Sequence, residues 1–261
     1  MIVVDLTSGF GNQLFQYAAC LALSKASGKP MHVNRTKGSD HGNRDYREIF
    51  SDTVYGADIP DTVITGRYNG HVLNTYKKAY GAWDPHTIEV SPIILLRGYF
   101  QYLPPLIPIL PQLRIDLFGQ LQMRYAKDEI ECAAFVHVRR GDYLNAAHKL
   151  PVQTREYFER GMQYIESKKT IDKWVMISND IAWCKKQPWS KPDIKFIDEA
   201  DEVRAFWWML NWCQGAVISN STYSWWGAIL GAHFKGSPVV YPKVWHLEHK
   251  PNLFPAKWTP L

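Results

Sequence analysis

The chain opens on an apolar run, Ile2-Val3-Val4-Asp5-Leu6, which breaks at Ser8-Gly9-Phe10-Gly11-Asn12-Gln13 and resumes at helical spacing. A short β-branched run ahead of a glycine turn predicts a buried strand. Leu14, Ala18, Leu21 and Ala22 then recur every three or four positions, predicting a helix from about Gly11 to Ser27. Gly28 stands where such a helix closes, and Pro30 follows it. "MHVN" from Met31 predicts a second strand. Residues 35–92 keep no period and are rich in Gly, Asp, Asn and Tyr, so loops with short helices are expected there. "IILLRGYFQ" (93–101) predicts a buried strand, and the four prolines of "YLPPLIPILPQL" after it exclude one continuous helix.

The second half is more regular. Strands are predicted at "AAFVHV", "KWVMIS", "IKFI", "GAVIS" and "PVVYP". Helices are predicted between them at "TREYFERGMQYIESKK", "AWCKKQ", "DEVRAFWWMLNWC" and "STYSWWGAILGAHF". The helix with Trp207, Trp208 and Trp212 is apolar nearly all round, which predicts burial between layers. Strands alternating with helices of this length predict α/β units with parallel sheets. Two are expected: an N-terminal domain, 1–122, and a C-terminal domain, 123–261, whose last fifteen or so residues pack back on the first. Ligands in such sheets bind beyond the carboxyl ends of the strands.

Composition narrows the classes. The hydrophobic fraction of 46% and the charged fraction of 21% are those of a globular protein, and 261 residues suffice for two domains. The net charge of +5 is spread out, without a basic arm for nucleic acid, and supports only weak attraction to anionic surfaces. No apolar stretch has membrane-spanning length, and no leader pattern precedes the first strand. The four cysteines form no C-x-x-C pair, and buried free thiols in a cytoplasmic protein are expected.

Gly9-x-Gly11 after a strand imitates a dinucleotide fingerprint, but Leu14 replaces its third glycine, and Asn34-Arg35 stand where an acid is needed. A P-loop lacks its Gly-Lys-Ser/Thr. Asn12 and Gln13 are uncharged donors and acceptors that suit a hydroxyl-rich ligand. "HVRRGDY" (His137 to Tyr143) gathers an imidazole, two guanidiniums and a carboxylate at a strand end, and guanidinium recognises phosphate bidentately. Strand alternation sends His137 and Arg139 to one side, with Arg140 starting out opposite. An internal Arg–Asp salt bridge is the bland alternative for this loop. "SNSTYSWWG" (Ser219 to Gly227) places Asn220, Ser221 and Thr222 at a strand-to-helix junction, where free amides meet anions. Either Asn220 or Ser221 serves as a helix cap on the plainer reading. "ISND" ends another strand with Asp180, an acceptor for a nucleobase edge or ribose. Together these suit a nucleoside diphosphate held without a metal. No Asp-x-Asp occurs, and Glu199-x-Asp201 sits where first-turn acids are common.

"GFGNQLFQYA", "RGYFQ", "HVRRGDY" and "SNSTYSWWGA", in this order, resemble the α-1,2-fucosyltransferases of glycosyltransferase family 11. The resemblance implies a GT-B architecture of two Rossmann-like domains facing a cleft. It also implies inverting, metal-independent transfer of fucose from GDP-fucose to the 2-hydroxyl of a terminal β-galactoside, with no cofactor. It gives His137, Arg139 and Arg140 to the donor, with Arg139 at the β-phosphate, Ser221 and Thr222 at the diphosphate and Asp180 at guanine. Gly11, Asn12 and Gln13 fall to the sugar side. Asn220 and Trp225 are expected at the substrate, and Asn12, Arg139 and Asp142 in catalysis. Asp142 and His148 are the candidates for a base, and neither is assigned. The sequence departs from the family where Gly215 replaces a frequent histidine, and where Tyr99 and Tyr223 replace phenylalanines. A bacterial-type cytoplasmic enzyme of surface-polysaccharide (O-antigen) synthesis is implied, peripheral at the inner membrane, with a galactose-terminated oligosaccharide or lipid-linked glycan as acceptor. The competing readings are an idle glycan- or nucleotide-sugar-binding protein and an NADP-linked epimerase. The Tyr164-x-x-x-Lys168 pair that the epimerase needs lacks an upstream serine.

Overall fold

The computed structural model describes residues 1–35, 46, 49–50, 67–68, 71–72, 74–80, 82–86, 94–126, 132–212 and 214–261. The chain divides into two compact units: 1–120 with 251–253, and 121–250 with 254–261.

The first unit begins with β1 (Ile2–Leu6), buried along its whole length, followed by α1 (Phe10–Ser27) and β2 (Met31–Arg35). Gly28 closes α1 at φ 68°, as its place in the sequence predicts. A two-residue antiparallel ladder, β3 (Arg67–Tyr68) with β4 (His71–Val72), precedes β5 (Asn74–Tyr80) and β6 (Ile94–Gln101). The main sheet runs β2-β1-β6-β5, all parallel. Leu14, Phe15, Tyr17 and Ala18 bury the inner face of α1, and Tyr17 stacks on Phe50 at 4.4 Å.

One expectation fails here. The stretch 35–92 is not only loops and short helices, because β5 lies within it. Its polar sequence, "NTYKKAY", occupies the sheet edge, where a strand is covered on fewer sides and carries no apolar signature. Most of the rest of that stretch lies outside the described residues. After β6, a 3₁₀ segment (Pro104–Ile109) runs into α2 (Leu110–Tyr125), a helix the proline count concealed. Pro111 falls in its first turn, where no intrahelical N–H is needed. Leu113, Leu117 and Leu121 form its buried stripe. The division between units falls inside this helix, after Gln120.

The second unit contains β7 (Ala134–Val138), α3 (Arg155–Glu166), β8 (Trp174–Ser178), α4 (Ile181–Lys186), β9 (Lys195–Asp198) and α5 (Glu202–Asn211). It continues with β10 (Gly215–Val217), α6 (Thr222–Ala228) and β11 (Val239–Tyr241), and ends in β12 (Thr259–Pro260). All six strands are parallel, in the order β12-β11-β10-β7-β8-β9. Val136, Val138, Phe158, Met162, Ile165, Met176 and Val217 form a core under α3. Trp207 is buried as the apolar pattern of α5 predicts, and Trp225 and Trp226 are buried on α6. The C-terminus departs from expectation. Only Pro251–Leu253 group with the first unit, whereas 254–261 belong to the second, where β12 extends the sheet beside β11.

From β7 the strands step outward to β8 and β9 on one side, and to β10, β11 and β12 on the other. The order therefore reverses between β7 and β10, the position at which open parallel sheets bind their ligands. In the first unit the same reversal falls between β1 and β6. Among the described residues, no helix is long and apolar enough to cross a membrane.

Candidate active site

β7 is fully buried to Val138, and its charged residues begin where the strand runs out. Ser219, at the end of the neighbouring β10, ties the two tips together. Its hydroxyl donates to the His137 carbonyl at 2.8 Å and accepts the Arg139 amide at 2.9 Å. Tyr143 Oη adds a bond to the Asn220 carbonyl at 3.0 Å. "HVRRGDY" and "SNST" thus share one sheet edge at the order reversal.

His137 and Arg139 do lie on one side, and both meet Glu199. His137 Nε2 is 2.9 Å from Glu199 Oε2, and Arg139 Nη1 donates to Oε1 at 2.7 Å. On its outer edge Arg139 Nη2 donates to Asp142 Oδ2 at 3.1 Å, with Nε 3.0 Å from Oδ1. Burial alone would lower the Arg139 pKa, but Glu199 and then Asp142 outweigh it and raise it, so the guanidinium stays charged. The two acids differ in solvent access: the Glu199 side chain is 6% exposed and that of Asp142 is 41%. The internal salt bridge weighed as the alternative for this loop is present, and it leaves Arg139 partly exposed at 24%.

Arg140 turns the other way. Its guanidinium lies over the Trp183 ring at 4.1 Å, with Nε 3.3 Å from Asp180 Oδ2, while its amide donates to Asn179 Oδ1. Asp180 also caps α4 by accepting the Trp183 amide, and its own amide donates to Ser178 Oγ. It thus has structural partners on both oxygens. Asn179 Nδ2 donates to Asp142 Oδ1 at 3.3 Å, joining this network to the Arg139 pair.

Two expected ligand contacts do not survive burial. His137 is 0% exposed, so it presents no surface to a donor and reaches Arg139 only through Glu199. Trp225 is also fully buried, packed at 4.8 Å on Trp226 and 6.2 Å on Trp258, and belongs to the core. Asn220 is buried and donates to the Trp245 carbonyl, which makes it a brace for the loop. Ser221 is the N-cap residue of α6 but makes no side-chain cap bond, and Thr222 opens the helix, partly exposed. Gly215 has a steric reason: a methyl there would lie 2.8 Å from Ile165 Cγ2, so α3 packs where a larger side chain would project. The Tyr223 hydroxyl donates to the Glu202 carbonyl at 2.6 Å.

The first unit carries its own polar cluster at its order reversal. Gln101 Nε2 donates to Asn12 Oδ1 at 3.1 Å, and Ser8 Oγ lies 3.5 Å from Tyr99 Oη. Ser8 holds φ 67° and Phe100 φ 52°, left-handed values that bulky residues adopt only when their surroundings impose them. Gln13 is buried and donates to the Ser8 carbonyl, and Gln16 bridges Thr7 to the Gly98 carbonyl. Gly11 is buried on the inner side of α1. Of the three expected sugar-side residues, only Asn12 keeps an accessible side chain. His148 lies in an exposed turn.

Glu199 is the residue the sequence reading passed over, since an acid before a helix looks like ordinary first-turn chemistry. Its signal was the following Asp201, which already caps α5 through the Arg204 amide and leaves Glu199 without a capping task. Among the described residues, no group of three or more His, Cys, Asp or Glu side chains could hold a metal ion.

An O-antigen biosynthesis glycosyltransferase, WbnK, of Escherichia coli is 25% identical over 284 aligned positions, covering 92% of this chain and 93% of its own. An α-1,2-colitosyltransferase of E. coli is also 25% identical, covering 99% and 98%. Human galactoside α-(1,2)-fucosyltransferase 1 is 28% identical, over 48% of this chain and 35% of its own. Two solved structures share the fold at 12% identity. POFUT1 with GDP has a TM-score of 0.55 over 93% of this chain and 98% of that one. The NodZ α-1,6-fucosyltransferase soaked with GDP-fucose has 0.54 over 95% and 97%. They place the fold in the α/β GT-B class expected from the sequence. Residues 1–245 match the description "Glycosyl transferase family 11", and the chain belongs to that family.

Proposed function

We propose that the protein transfers fucose from GDP-fucose to the 2-hydroxyl of a terminal β-galactoside, with inversion and without a metal. The observation that carries this reading is Arg139. It is a charged guanidinium at the order reversal of a parallel sheet, backed by a buried carboxylate and paired on its outer edge with an exposed one. As the C1–O bond of the donor breaks, negative charge gathers on the β-phosphate, where a preorganised cation stabilises the transition state most. Ser221 and Thr222, on the adjoining tip, would donate to the same diphosphate. Arg140 with its Trp183 partner lies toward the side where the nucleoside would extend. The acceptor hydroxyl would attack opposite the leaving group. Relatives named for α-1,2 transfer support the linkage, and one named for O-antigen biosynthesis supports a surface glycan as acceptor.

A second reading concerns the sugar alone. A relative covering 99% of the chain is named for colitose transfer, which makes a GDP-colitose donor the alternative to test. Incubating the protein with lactose and either GDP-fucose or GDP-colitose, and reading product linkage by NMR, decides between them. Released GDP with a 2-linked fucoside is the expected result. Tight donor binding without any product would make the protein a binding module. In the same assay Arg139→Ala is expected to fold and to lose roughly two to three orders of magnitude in rate, and near-full activity would remove Arg139 from the mechanism.

A further inference from the structure

We propose that Glu199 is a positioning residue for the transfer: it fixes the inner edge of Arg139, so that the outer edge, held by Asp142 in the resting state, is handed to the donor diphosphate. The inference rests on the function proposed above and adds a residue and a sequence of contacts to it.

The geometry separates two carboxylates that a charge count treats alike. Glu199 is 7% exposed, and both its oxygens are engaged, Oε1 by Arg139 and Oε2 by His137. Removing a guanidinium from a buried carboxylate leaves a charge that water cannot reach, which is strongly unfavourable. Asp142 is exposed, and its bond to Arg139 exchanges with solvent at little cost. A diphosphate entering the site therefore displaces Asp142 and not Glu199. Released from Arg139, Asp142 keeps Asn179 as a partner on Oδ1.

His137 completes the arrangement from behind. Among the described residues its buried Nδ1 has no hydrogen-bond partner, so the ring is held there by Glu199 alone, through a proton on Nε2. Tyr223 packs against the imidazole at 5.3 Å, and its hydroxyl is occupied by the Glu202 carbonyl. The Glu199 amide donates to the Ser178 carbonyl, which pins the carboxylate's backbone to the end of β8. The histidine of the "HVRRGDY" motif thus serves the donor at second hand, by orienting the acid that orients the arginine.

The test is Glu199→Gln, which keeps the volume and removes the charge. With GDP-fucose and lactose, kcat is expected to fall by about ten- to a hundredfold, with a smaller change in KM for the donor, as for a misplaced catalytic group. Adding Glu199→Gln to Arg139→Lys is expected to cost little beyond Arg139→Lys alone. A kcat within twofold of wild type, or losses that multiply in the double variant, overturns the proposal. Should Glu199→Gln fail to fold, Glu199→Asp, which keeps the charge but falls a methylene short, is judged by the same two criteria. Calorimetry with GDP distinguishes this failure from failure of the proposed function. Wild-type protein that binds GDP but transfers no fucose refutes the reaction and leaves Glu199 to be judged on GDP affinity. That affinity is expected to drop at least about fivefold in Glu199→Gln, and an unchanged value overturns the role. Wild-type protein that does not bind GDP overturns both.

Discussion

Ser219 Oγ accepts the amide N–H of Arg139 at 2.9 Å, across the gap between two strand tips that lie 80 residues apart in sequence. The same hydroxyl donates to the His137 carbonyl, so one buried atom closes the sheet edge on which the charged loop stands. Ser219→Ala leaves a donor and an acceptor unsatisfied and is expected to destabilise the fold by about 1–3 kcal/mol. Urea unfolding measures this, and a midpoint equal to wild type would show that the tips hold without it.

Gly231, in the π-helical turn (Ile229–His233) that follows α6, packs directly against the backbone of α5. A methyl group there would lie 2.4 Å from the Met209 carbonyl oxygen, a backbone atom that no rotamer change can move aside. Gly231→Ala is expected to cost about 1–3 kcal/mol by overpacking. Thermal unfolding is the check. Stability equal to wild type would mean that the two helices can separate freely.

Thiol reactivity should divide the described cysteines cleanly. Cys132 is exposed, whereas burial pushes the Cys184 thiol up to about 11 and raises Cys20 further still. At pH 8 a thiol of that pKa is only about one part in a thousand thiolate, the form that reacts. Iodoacetamide followed by peptide mapping should find Cys132 modified in the native protein, and Cys20 and Cys184 only after denaturation. Rapid native labelling of Cys184 would contradict the packing around it.

Acid should weaken the second unit through its histidines. His233, His246 and His249 all have pKa values lowered from 6.5, first by burial and then by neighbouring positive charge, with Glu248 partly opposing this at His246 and His249. His233 Nδ1 also accepts the Trp258 indole N–H at 3.2 Å, a bond that protonation removes. With folded pKa values below the unfolded one, the unfolded chain takes up protons first. Stability is therefore full above about 6.5 and declines as pH falls through the folded values. Tm is expected to be lower at pH 5.5 than at pH 7.5, and the slope should be shallower in His233→Gln. A flat Tm across this range would refute the assignment.

Much of this architecture was legible in the order of residues. β1, α1 with its Gly28 close, and the alternation from β7 to β11 follow from local period and from caps that act over three or four positions. The charged and hydroxyl-bearing motifs were legible too, because strand ends in parallel sheets are where polar side chains collect. Alternation even set His137 and Arg139 on one side. β5 and α2 were not legible, since an edge strand needs little apolar character and Leu113, Leu117 and Leu121 were masked by the prolines before them.

The sequence by itself determined which elements form and which chemical groups stand at their ends, since both depend on near neighbours. Only the tertiary structure decided which of those groups meet. It buried His137 and Trp225, withdrew them from any ligand, and brought Glu199 from 60 residues away to the inner edge of Arg139. Strand order, which no local pattern encodes, placed β7 beside β10 and so put the guanidinium and the Ser219–Thr222 tip at one edge. Burial and partner choice are properties of that packing, and they separate the acid that anchors Arg139 from the acid that gives way.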